Sequence, residues 1–122
     1  MKVLIVDDEL FILNTLERFI AKIGHTPIVT DEGNRAIELY KAHKPDLVLL
    51  DVVLPGKKGG AVFREIMDFD KKANIVFITG SFEEYSRIEE INKPECFVKP
   101  IDIMKIKEII ELHEPDKNAL NS

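Results

Sequence analysis

In Asp46–Gly60, DLVLLDVVLPGKKGG, four consecutive apolar residues, Leu47, Val48, Leu49 and Leu50, run straight into a carboxylate, Asp51, and then into a loop. A run that is apolar on both faces of a two-residue period fits a strand covered from both sides, as in the middle of a parallel sheet. A carboxylate placed directly after such a strand emerges at its carboxyl end, where open α/β sheets form their ligand crevice. Pro55 and the glycines that follow rule out any continuation of regular structure. Asp51 has two readings at this point, a group that merely caps a turn or one that does chemistry, because Asp before Pro and Gly is also ordinary turn composition.

The same pattern recurs on either side. Val3–Val6 is wholly apolar and ends on Asp7-Asp8, and Ile75–Ile78 is wholly apolar and ends on Thr79-Gly80-Ser81. His25–Thr30 is a weaker strand whose Pro27 places it near a sheet edge. Cys96–Val98 is the last strand, followed by Lys99-Pro100. Between the strands, apolar residues fall at helical spacing. Leu10–Ile23 is closed by Gly24, and a second helix around Ala36–Tyr40 follows a turn at Asp31–Gly33 and fails before Pro45. The third runs through Ala61–Met67 and is closed by the polar run Asp68–Lys72. Phe82–Ile91 is a short charged helix, and Ile103–His113 is capped by Asp102. Five strands alternating with five helices predict a three-layer α/β/α sandwich around a five-stranded parallel sheet, with residues 1–113 forming one domain and 114–122 a short polar tail.

Bulk composition narrows the function. The 122 residues carry 22 acidic and 17 basic side chains, a net charge of −5 that opposes binding to nucleic acid. The single cysteine, Cys96, excludes an internal disulfide and a thiolate metal site, and suits a reducing cytoplasm. The apolar start, Met1–Val6, is too short for a signal peptide or a membrane span, so no membrane partner is expected. His25, His43 and His113 are scattered and read as surface or capping residues. Phe11, Phe19, Phe63, Phe69, Phe77 and Phe82 read mostly as packing.

If the three doubly apolar strands are neighbours, their carboxyl ends bring Asp7, Asp8, Asp51 and Thr79 together, and Lys99 arrives from the fifth strand. Three crowded carboxylates stay ionised comfortably only around a cation. Mg²⁺ suits an all-oxygen set that leaves positions for water and a phosphoryl oxygen. A lysine and a hydroxyl across the cleft would hold the remaining phosphoryl oxygens.

Val6-Asp7-Asp8-Glu9, Asp51 followed by Pro55 and Gly59, Thr79-Gly80, and Lys99-Pro100 with Ile101-Asp102-Ile103 span nearly the whole chain. In that order and spacing the chain resembles the receiver domain of two-component response regulators. The resemblance implies a flavodoxin-like sheet of order 2-1-3-4-5. It implies that Asp51 is the phospho-acceptor for a phosphohistidine on a sensor histidine kinase. Asp8, Asp51 and the backbone carbonyl of Val53 would ligate Mg²⁺, with Asp7 acting through water. Lys99 would pair with the acceptor and then with the phosphoryl group, Thr79 would transmit the change, and Lys99–Pro100 would be cis. The implied role is a stand-alone signalling module rather than a turnover enzyme. Its output would pass to a histidine phosphotransfer protein or another downstream protein. Leu10, Phe11, Leu13 and Asn14 would flank the cleft where the kinase docks.

Several positions depart from the family's pattern. Lys57-Lys58 stand beside the acceptor loop and read as solvated loop residues, with attraction of an incoming phosphate as the alternative. Val53 is apolar where many members place a polar group, so hydrolysis of the acyl phosphate is expected to be neither strongly assisted nor blocked. Cys96 replaces a common aromatic and reads as a small buried filler beside a buried Phe97. A Mg²⁺-dependent phosphohydrolase with an aspartyl nucleophile is the competing function, and Val53 argues against it because that chemistry wants a general acid near the nucleophile. A purely structural module is disfavoured by the intact Asp7, Asp8, Asp51, Thr79 and Lys99.

Overall fold

The structure, a computed structural model, describes residues 1–90 and 92–114. In chain order these form β1 (Lys2–Val6), α1 (Leu10–Lys22), β2 (Thr26–Thr30), α2 (Gly33–His43), β3 (Leu47–Leu50), α3 (Gly59–Phe69), β4 (Ile75–Thr79), α4 (Phe82–Ser86), β5 (Cys96–Val98) and α5 (Ile103–His113). The five strands make one sheet in the order β2-β1-β3-β4-β5, and every pair is parallel. This is the expected α/β/α sandwich.

The period of two sorts each central strand between two cores. Leu4, Val6, Val48, Leu50 and Phe77 face one layer, packed under Ala36, Ile37 and Tyr40 of α2 and Val62, Phe63 and Ile66 of α3. Val3, Ile5, Leu47, Leu49, Val76 and Ile78 face the other, under Leu13, Leu16 and Ile20 of α1 and Ile106, Ile109 and Ile110 of α5. All of β3 and β4 is buried, which is why their sequences carry no polar alternation. Pro27 is tolerated because β2 has a hydrogen-bonding neighbour, β1, on one side only.

Three local expectations are corrected. Helix α2 starts at Gly33, inside the expected turn, and stops where Lys44 turns left-handed at φ 48° and returns its N–H to Tyr40 O. Helix α4 ends at Ser86 rather than reaching Ile91, a residue outside those described. Ser81 caps its start, and the Lys93 ammonium donates to the carbonyls of Tyr85 at 3.2 Å and Ile88 at 3.4 Å, satisfying groups that a longer helix would have bonded internally. The aromatic set also divides. Phe63 and Phe77 are buried and in contact, whereas Phe11, Phe69 and Phe82 are exposed. Helical spacing marks a face but not whether another element covers it.

Smaller differences follow the same logic. Leu13 is buried beneath α1 while Leu10 and Phe11 stand out of it. Cys96 and Phe97 are half-buried rather than buried, because β5 is an edge strand. His25 is not a plain surface residue: its ring bonds the Met1 amine at 2.9 Å and Glu114 at 2.8 Å. Among the described residues no helix is long and apolar enough to cross a membrane.

Candidate functional site

Strand register builds the site. Val6 lies opposite Leu50, so the residues that follow, Asp7 and Asp51, leave the sheet side by side. The Asp51 N–H donates to Val6 O at 2.9 Å and the Asp7 N–H to Thr30 O at 3.2 Å, fixing both backbones as extensions of the ladder. Asp7 and Asp51 are buried, and Asp8, one residue out of phase, is exposed. One oxygen from each of Asp7, Asp8 and Asp51 lies within 4.8 Å of the other two.

Four strands end in the same turn. The side-chain oxygen of the last residue, or of the one directly after it, accepts the N–H two residues on: Asp7 from Glu9 at 2.9 Å, Asp51 from Val53 at 3.0 Å, Thr79 from Ser81 at 3.2 Å and Thr30 from Glu32 at 3.2 Å. Short acceptor side chains at strand ends make these turns without help from the rest of the fold, and each occupies one oxygen of the functional group it orients. Gly59, which starts α3, donates its N–H to Val52 O at 2.9 Å. A Cβ there would stand 2.2 Å from the Asp51 carbonyl oxygen, so only glycine lets α3 approach the acceptor strand this closely.

Lys99 joins the carboxylates. Its N–H donates to Thr79 O at 2.8 Å, and the Lys99–Pro100 peptide is cis. Its side chain is 9% exposed, and the ammonium lies 2.7 Å from Asp7 Oδ2, 2.9 Å from Asp51 Oδ2 and 3.2 Å from Glu9 Oε1. Burial draws the lysine pKa downward, but the hydrogen bonds and charges of Asp7 and Asp51 outweigh it and leave the ammonium above its ordinary value. Burial raises Asp7, opposed by the Lys99 and Glu9 hydrogen bonds and reinforced by the charge on Asp51, and the net displacement is upward. One cation among four carboxylates leaves the crevice negative.

The expected residues Asp7, Asp8, Asp51 and Lys99 therefore converge. Thr79 is fully buried one strand away, and its hydroxyl is taken by the Ser81 N–H; no hydrogen bond joins it to Asp51 among the described residues. Val53 is half exposed beside the acceptor, with its N–H on Asp51 Oδ1. Glu9 had no assigned role, and the structure adds it as the third anion on Lys99. Its position two residues past Asp7 was the available signal, since the same spacing places Val53 against Asp51. The donor set is all oxygen and strongly anionic, which fits a hard divalent cation and not a thiophilic one.

The response regulator receiver domain model matches residues 3–111. The chain is 29% identical over 119 residues to sporulation initiation phosphotransferase F of Bacillus subtilis, covering 96% of each. It is 32% identical over 112 residues to chemotaxis protein CheY of Thermotoga maritima, covering 89% of this chain and 93% of that one. Among solved structures, response regulator TrrA of Thermotoga maritima, in complex with Mg²⁺–BeF, superposes with a TM-score of 0.83 at 27% identity, covering 93% of this chain and 98% of that chain. The strand order and the acidic crevice of the structure thus meet a match over nearly the entire folded region, and the chain belongs to the response regulator receiver domain family of two-component signalling.

Proposed function

We propose that residues 1–113 act as a phosphorylation switch in which Asp51 accepts a phosphoryl group from the phosphohistidine of a sensor histidine kinase, with Mg²⁺ as cofactor. The observation that carries this reading is the buried Asp51 carboxylate, held by Lys99 at 2.9 Å within the cluster of Asp7, Asp8 and Asp51. A carboxylate oxygen of Asp51 attacks phosphorus, the P–N bond to the donor histidine breaks, and the imidazole nitrogen leaves with the electron pair. Such a transfer asks the protein for alignment and charge neutralisation and little covalent help.

Each neighbour has a task in that step. The Val53 N–H fixes the rotation of the acceptor carboxylate. Lys99 neutralises Asp51 before transfer and pairs with the phosphoryl oxygens afterwards. Asp8, Asp51 and the Val53 carbonyl would hold Mg²⁺. Asp7 would reach it through water. When bound, the cation supplies positive charge to the equatorial phosphoryl oxygens and so lets an anionic donor approach an anionic acceptor. The Thr79 hydroxyl leaves the Ser81 N–H to follow a phosphoryl oxygen, and that rearrangement of the Thr79–Ser81 loop is the output.

The domain is a cytoplasmic acceptor that promotes its own phosphorylation and dephosphorylation and is not a turnover enzyme. A relative called a phosphotransferase supports the transfer chemistry, and a solved neighbour in complex with Mg²⁺–BeF supports the cofactor. Leu10 and Phe11, 60% and 84% exposed at the start of α1, present an apolar face to the kinase, and a phosphotransfer protein or another downstream protein reads the result. The test is intact mass after incubation with Mg²⁺ and acetyl phosphate. The unsubstituted chain gains one phosphoryl group and Asp51→Asn gains none; equal labelling of the two overturns the proposal.

A further inference from the structure

The rim of the acceptor crevice carries a cation without an ion-pair partner among the described residues. Around the open cleft between α3 and α4, Lys57 is paired with Glu65, Arg64 with Glu90 at 2.8 Å, and Arg87 with Glu83 and Glu84, both at 2.8 Å. Lys58 alone among these basic residues makes no ion pair within the described residues, and it is exposed. Together with Val52, Val53, Leu54 and Glu84 it lines a recess of about 170 Å³. Glu84 does not neutralise it, because Arg87 already holds that carboxylate.

Location makes the free charge matter. Lys58 is the N-cap residue of α3, immediately before Gly59, whose missing Cβ lets the chain rest against the Asp51 carbonyl. Its backbone is thereby pinned over the acceptor strand while its side chain remains free in solvent. The crevice beside it holds Asp7, Asp8, Asp51 and Glu9 against the single ammonium of Lys99. A phosphoryl donor is itself anionic, so its approach is opposed by that excess. An exposed cation at the mouth acts on it over the screening distance of about 8 Å at physiological salt.

We propose that Lys58 is an electrostatic guide for the acceptor site, attracting the anionic phosphoryl group of the donor toward Asp51. This rests on the reading of Asp51 as acceptor. Lys58 forms no bond in the reaction: with acetyl phosphate the Asp51 oxygen forms the O–P bond, the acyl O–P bond breaks, and acetate departs with the electron pair. The residue favours the arrival of the anionic donor and takes no part in the covalent change.

The experiment compares pseudo-first-order labelling rates with acetyl phosphate and saturating Mg²⁺ across a range of KCl. One charge acting on a dianion through water at this range changes the rate by about two- to fivefold, and charge reversal by roughly tenfold. Lys58→Gln is expected to slow labelling by the first amount and Lys58→Glu by the second. Lys58→Arg is expected to retain the parent rate, and the differences are expected to close as salt rises. Lys71→Gln removes the same charge from an exposed residue between α3 and β4, at the amino-terminal end of the strands and so opposite the crevice, and should leave the rate unchanged. Lys58 holds no ion pair among the described residues, and removing a cation from the N-terminus of α3 eases the helix dipole, so no Lys58 variant should melt below the parent. Equal rates for Lys58→Gln and the parent, a defect that salt does not reduce, or an equal defect in Lys71→Gln each overturn this inference alone. Absence of labelling in the parent overturns the acceptor reading and this inference with it.

Discussion

Replacing Lys99 by Met removes the ammonium from between Asp7 and Asp51 while keeping a side chain of similar length. Both carboxylates are almost fully enclosed, at 4% and 5% side-chain exposure, so water cannot take over the lost contacts at 2.7 Å and 2.9 Å. At the 4.8 Å that bounds their oxygens, two like charges repel by about 3 kcal/mol at an effective dielectric near 20. The loss expected on breaking a buried ion pair, about 3–5 kcal/mol, is of the same size. For a domain of this length that is a fall in Tm of roughly 12–20 °C. The assay is thermal denaturation followed by circular dichroism at neutral pH with a chelator present. Two further measurements isolate the cause: Asp51→Asn in the Lys99→Met background should recover much of the loss, and millimolar Mg²⁺ should raise the Tm of Lys99→Met more than that of the parent. A fall of less than about 4 °C, or a double variant no more stable than the single one, would show that the crevice charge is not what Lys99 balances.

Gly59→Ala forces a methyl group to 2.2 Å from Asp51 O and 2.6 Å from Val52 Cα, backbone atoms that cannot move aside, and should cost about 2 kcal/mol or more in urea denaturation. Gly60→Ala, one residue on, meets only the flexible Ile88 side chain at 3.4 Å and should be tolerated, so equal losses in the pair would refute the close-approach account. Tyr40→Phe removes the hydrogen bond that the tyrosine hydroxyl donates to Asp70 at 2.7 Å. Burial and then the Asp70 hydrogen bond raise the Tyr40 pKa, so its contribution is intact below the unfolded value near 10 and is lost as pH rises beyond it. The Tyr40 hydrogen bond lowers Asp70, whose contribution is intact above the unfolded value near 4 and is lost as pH falls. The Tm difference between parent and Tyr40→Phe should therefore be greatest on the plateau between those limits and shrink at both ends; a difference independent of pH would contradict the pairing.

Residue order alone marked a parallel sheet, its central strands and a crevice at their carboxyl ends, while the order of the strands came with the family resemblance. Leu47–Leu50, Val3–Val6 and Ile75–Ile78 have no polar alternation, and that is possible only for strands with helices on both faces; Pro27 marked the edge in the same way. The acids and threonine at the strand ends were legible because each sits next to the last apolar residue, and local turn chemistry then orients them. What local pattern does not carry is the distance between chains remote in sequence. Lys99 meets Asp51 across 48 positions and Glu9 across 90, and only the packed sheet brings them to hydrogen-bonding range. The same holds for which aromatics are covered, for the early end of α4 under the Lys93 ammonium, and for the pairing of every rim cation except Lys58. Burial and charge pairing are properties of neighbours in space, and a chain acquires those neighbours only when it folds.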